Sequence, residues 1–117
     1  MAKKNSFRAI QDMKSFEEFW PFYLHEHLHP INRGLHLLGS FLSLLLLGYF
    51  SYNQAWIKIS YCFLVGYLFA WIGHLFIEHN RPATFKAPFW SFAGDWRMFY
   101  FFATGRLKAE YKRLNLL

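Results

Sequence analysis

The chain has 117 residues, enough for one domain; 55% are hydrophobic and 23% aromatic, against 17% charged. That balance excludes an ordinary soluble domain of this size, which lacks the interior to hide so much apolar surface. The net charge of +6 does not point to nucleic acid, because the basic residues flank apolar runs and no nucleic-acid-binding motif is present.

Residues 1–14 are basic and polar and read as an N-terminal tail. Ser15-Phe16-Glu17-Glu18 then fits a capping box, which starts a helix. Phe16, Phe19, Trp20, Tyr23 and Leu24 follow at helical spacing, the aromatic face of a short amphipathic helix in the membrane interface. Pro21 falls about one turn in and predicts a kink. His29-Pro30 predicts the end, because the residue before proline disfavours helical dihedrals. No formally charged residue occurs from Gly34 to Ile57, nor from Ile59 to Ile77. Each run is long enough to cross a hydrocarbon core of ~30 Å at ~1.5 Å per residue. The first span is expected at about 35–52 and the second at about 56–77, joined by a short turn around Ser51 to Ala55. The spans are therefore antiparallel neighbours. Tyr49, Tyr52 and Trp56 collect at the tip, where an aromatic belt belongs. Gly39 and Ser43 on one span, and Gly66, Ala70 and Gly73 on the other, allow close backbone approach. The single cysteine, Cys62, lies inside a span and reads as packing. A cleavable signal peptide is not expected, since the first apolar run starts late.

Asn80-Arg81-Pro82-Ala83 breaks the helix. Residues 88–103 are rich in Phe, Trp and Tyr but hold Asp95 and Arg97. They predict an interfacial or reentrant helix, with Asp95 as a candidate start, and 108–117 a basic C-terminal tail. The expected fold is therefore all-α: an integral membrane hairpin of two transmembrane helices with flanking amphipathic or interfacial helices, one membrane domain over residues 15–107. Twelve of the thirteen Lys and Arg residues flank the hairpin and only Lys58 sits at its tip. The positive-inside rule then places both termini in the cytoplasm. The membrane is the inner membrane of a bacterium or the endoplasmic reticulum of a eukaryote. A homodimer is the least demanding way to thicken so thin a bundle.

Six histidines carry the chemistry. His25, His27 and His29 precede the first span and His36 stands at its start. His74 and His79 stand at the end of the second, with Glu78 between them. His36 and His74 are each about 19 positions from Ala55, roughly 28 Å if helical throughout, so they should lie side by side at the charged mouth of the hairpin. Glu78 lies one turn beyond His74 on the same face. Ionisable groups inside spans are costly and mark function. Imidazole and carboxylate suit iron, zinc or manganese. The pattern is not HExxH, so a zinc protease is not indicated. A haem held by two histidines has no specific support, and His25 and His29 read equally as interfacial residues. A non-catalytic membrane protein whose histidines bind a structural metal or organise lipid is the alternative.

The segments Glu26-His27, Asn32-Arg33-Gly34-Leu35-His36-Leu37-Leu38-Gly39 and Gly73-His74-Leu75-Phe76-Ile77-Glu78-His79-Asn80-Arg81-Pro82-Ala83-Thr84-Phe85 resemble the paired motifs of a small membrane family, formerly a domain of unknown function. The resemblance runs from about Phe16 to Leu107. Pro88-Phe89-Trp90-Ser91 and Gly94-Asp95-Trp96-Arg97-Met98 resemble its compact bacterial branch. The family's studied fungal member is an endoplasmic-reticulum, Fe(II)-dependent 2-hydroxy fatty acid dioxygenase of lipid α-oxidation. The resemblance implies an oxidoreductase using Fe(II) and O2 on a long-chain 2-hydroxy fatty acid, giving CO2 and the acid one carbon shorter. It implies an iron site at His27, His36 and His74, with His79 as a further ligand or supporting group and Glu78 as a catalytic carboxylate. Arg33 and Arg81, with Lys86, are candidates to attract the substrate carboxylate; each is also an ordinary basic flank.

Overall fold

The computed structural model describes residues 13–79 and 87–116. Every regular element among them is helical: α1 (Phe16–His25), α2 (Pro30–Tyr52), α3 (Ser60–Ile72), α4 (Pro88–Ala103) and α5 (Leu107–Arg113). A 3₁₀ turn, Trp56–Ile59, leads into α3, and a π-helical segment, Gly73–Glu78, continues it. The chain forms two compact units, one of residues 29–79 and one built from the segments on either side.

The unit of residues 29–79 is the hairpin. Pro30 opens α2 at its first position, where a missing N–H and a fixed φ cost nothing. His29 is the extended residue before it, and its Nδ1 accepts from the Ile31 amide at 3.2 Å. The expected boundary is thus displaced: Pro30 begins the span, and α1 has already ended at His25. At the tip, Gln54 adopts φ +55°. Its amide bonds to Ser51 O and that of Ala55 to Phe50 O, a Schellman closure that ends α2 and reverses the chain.

The small residues sit where the helices touch. A Cβ on Gly39 would lie 3.0 Å from Phe69 Cβ and 3.4 Å from Gly66 O, and one on Gly66 would lie 3.2 Å from Ser43 Oγ. Ser43 Oγ donates to Cys62 O at 2.8 Å, a buried bond between the helices. The outer face is apolar and open, with Leu38, Phe41, Leu45, Leu64, Leu68 and Phe76 all exposed. Among the described residues, two helices, Pro30–Tyr52 and Trp56–Glu78, are long and apolar enough to cross a membrane. Only 22% of the most apolar window of each is buried, whereas a soluble protein's core helix would be mostly buried. Lipid is the solvent such a face needs. Tyr52 and Trp56 are exposed at the tip, at headgroup level on this reading.

The other unit packs α1 against α4 and α5. Ser15 caps α1, its Oγ accepting from Glu18 N. The helix runs through Pro21 to His25, and the carbonyl that Pro21 cannot serve belongs to exposed Glu17. The aromatic face is a protein core: Phe19, Trp20, Tyr23 and Leu24 are buried together with Met98 and Tyr111. The Arg97 guanidinium lies 4.8 Å over the Trp20 ring and pairs with Glu17 at 2.9 Å. α4 starts at Pro88, again a first-position proline, rather than near Asp95. The expected tail is also corrected. Leu107–Arg113 folds as α5 and sinks Tyr111 into the core, a docking too short to leave a periodic signal. The break at Asn80 to Ala83 and most of the N-terminal tail lie outside the described residues.

Candidate functional site

Within the hairpin, α2 carries His36 and the π-helical segment carries His74. Their rings meet edge to face, 4.9 Å between centroids at 85°, and are 5% and 2% exposed. The equal spacing from the tip therefore becomes an actual pair. The π-helical winding begins at Gly73, immediately before His74, and such segments recur at functional sites.

Asn32 packs against Gly73, the chain neighbour of His74. It is one turn before His36 and fully buried. Its amide packs onto Gly73 so closely that a Cβ there would lie 1.9 Å from Asn32 Oδ1. Asn32 lies within the first histidine motif, and its place one turn before His36, on the same helix face, is a signal that helical spacing carries.

Glu78 acts across the mouth. Its Oε1 accepts the His29 backbone N–H at 2.6 Å, tying the end of the second span to the start of the first. His79 is exposed, with φ +57°, and its amide closes the segment on His74 O. Arg33 is half-buried in the first turn of α2, and His25 and His29 are exposed. Arg81 and Lys86 lie outside the described residues.

His27 belongs to the other unit, in the turn after α1, and is 1% exposed. Its Nδ1 is 2.6 Å from Tyr23 O. A carbonyl only accepts, so Nδ1 bears the hydrogen, and in the neutral imidazole Nε2 then carries the lone pair. The Tyr23 ring stacks on the imidazole at 4.2 Å, and the Tyr23 hydroxyl donates to Asp95. Burial, and then the neighbouring Asp95 carboxylate, hold the Tyr23 hydroxyl well above its ordinary pKa. The Tyr111 hydroxyl is 3.0 Å from both Leu24 O and His27 O, which serves carbonyls at the end of α1. Tyr23 and Tyr111 gave no functional signal in sequence, because Tyr23 reads as part of an aromatic face and Tyr111 falls in the expected basic tail.

His27, His36 and His74 thus each bring a buried imidazole, the donor type of iron, zinc and manganese centres. Cys62, the single cysteine, is not among these donors. No curated protein and no solved structure matches the chain significantly. One family model does, over residues 13–107, which takes in both histidine motifs and α4: the chain belongs to the Mpo1-like family, described as 2-hydroxy-palmitic acid dioxygenase Mpo1-like.

Proposed function

We propose that this protein is a membrane-embedded Fe(II)-dependent dioxygenase of lipid α-oxidation. It converts a long-chain 2-hydroxy fatty acid and O2 into the acid one carbon shorter, CO2 and water. The observation that carries the reading is the buried edge-to-face pair of His36 and His74 at the charged end of an apolar hairpin. The family's description supplies the substrate class.

In this reading His27, His36 and His74 hold the metal, and three buried histidines are a suitable donor set. Fe(II) bound there would supply electrons for O2 and a template for the hydroxy acid. The chain's own residues do the rest. Tyr23 O keeps the proton on His27 Nδ1, so that Nε2 is the ligating atom. Arg33 and Arg81 receive the substrate carboxylate, and Glu78 takes the proton of the 2-hydroxyl. His79, exposed beside Glu78, is a further ligand or a supporting group. The apolar outer faces of the spans let the acyl tail lie in lipid while its headgroup reaches the mouth. Both chain ends face the cytoplasm, because eleven of the thirteen basic residues lie outside the hairpin and Arg33 stands in the first turn of α2, leaving only Lys58 at the tip. A homodimer would thicken the bundle.

The test is product analysis. Purified protein in nanodiscs, given Fe(II), O2 and 2-hydroxypalmitic acid, is expected to release the fifteen-carbon acid, and His36→Ala or His74→Ala to release none. Metal retained at the histidines with no shortened acid at any chain length would instead establish a structural metal protein.

A further inference from the structure

His27 lies in a turn two residues past the end of α1, outside any regular helical ladder, yet it is almost completely buried. Contacts within its own unit fix it. The Tyr23 carbonyl takes the Nδ1 hydrogen at 2.6 Å and the Tyr23 ring lies on the imidazole, with 28° between planes. The Tyr111 hydroxyl, from α5, ties down the carbonyls of Leu24 and His27 at the two ends of the turn. Tyr23 is itself clamped. Its hydroxyl donates to Asp95, and its ring lies on Gly94, where a Cβ would come within 2.8 Å of Tyr23 Cδ2.

We propose that Tyr23 and Tyr111 are the positioning residues of His27. Tyr23, clamped by Asp95 and Gly94, sets the plane of the imidazole, and Tyr111 pins the turn so that Nδ1 stays on the Tyr23 carbonyl. The imidazole then presents Nε2 as its one ligand atom. The proposal rests on the reading of His27 as a metal ligand. Partners of this kind orient the ring and fix its tautomer, and their loss costs a metal site about ten- to a hundredfold in affinity.

Two measurements on the full chain in detergent test it. Long-range ¹H–¹⁵N correlation of ¹⁵N-histidine-labelled, metal-free protein should find His27 as the Nδ1–H tautomer, and a mixture of tautomers in Tyr23→Leu. Titration with Co(II), followed by its visible spectrum, should show dissociation constants raised about tenfold, with an altered spectrum, in Tyr23→Leu and Tyr111→Phe. Tyr23→Phe, which keeps the stacked ring, should show a smaller effect. A wild-type His27 protonated on Nε2 overturns the proposal. So do wild-type affinity and spectrum in both Tyr23→Leu and Tyr111→Phe while His27→Ala loses binding. If His27→Ala binds Co(II) like the wild type, His27 is no ligand and both readings fall. Tyr111→Phe removes a single oxygen, so it decides the matter should Tyr23→Leu not fold.

Discussion

Replacing Gly73 with alanine adds one methyl group at the most crowded glycine of the hairpin. The new Cβ would stand 1.9 Å from Asn32 Oδ1, 3.0 Å from Asn32 Cγ and 3.4 Å from Asn32 Cα. Close C···O contacts begin at about 3.3 Å, so the amide must retreat by about 1.4 Å. Asn32 is fully buried, so α2 must shift or the amide must lose its setting. Overpacking costs about 1–3 kcal/mol, and disturbing a buried polar group about 1–3 more. A loss of about 2–6 kcal/mol is expected. Because Asn32 is one turn from His36, and Gly73 adjoins His74, Co(II) affinity should fall as well. The same change at Gly34 or Gly48, where nothing lies within 4 Å, should raise stability by about 0.5–1 kcal/mol through the helix preference for alanine. Gly39→Ala, facing Phe69 Cβ at 3.0 Å, should fall between them. Titration with SDS in dodecylmaltoside, followed by circular dichroism, ranks the four variants. A Gly73→Ala protein as stable as Gly34→Ala would refute the packing argument.

Other outcomes follow from single contacts. Glu78→Ala removes the acceptor of the His29 amide and should cost about 1 kcal/mol in the same titration. Glu78→Gln keeps an acceptor and should retain most of that stability, while the proposed role of Glu78 as base predicts that it loses product formation. Ser43→Ala should cost about 0.6 kcal/mol and no more than about 1.7, the range of hydrogen bonds between membrane helices. The Tyr23 hydroxyl is held above its ordinary pKa, so the folded state retains a proton that the unfolded chain releases near pH 10. Its contribution is complete below that pH and is lost as pH rises through the raised value. Alkaline unfolding should therefore steepen above about pH 10 in the wild type and flatten in Tyr23→Phe.

The sequence by itself determined the hairpin. Two uncharged apolar runs of spanning length, separated by Lys58, admit few other arrangements in lipid, where each backbone must satisfy its own hydrogen bonds. It also paired His36 with His74, because equal spacing from a tight turn means equal depth in an antiparallel pair. Local rules misplaced the boundaries. His29-Pro30 reads equally as an end or a start, and only the folded chain decides that Pro30 opens α2. Tertiary structure alone decided the support of the histidines. Tyr111 is 84 residues from His27 and Asp95 is 72 from Tyr23, separations that no periodicity reports. Asn32 meets Gly73 only because two helices pack without a side chain between them. Imidazole donors are legible in composition and spacing; the contacts that clamp Tyr23 and pin the turn of His27 come from segments that meet only when the chain folds.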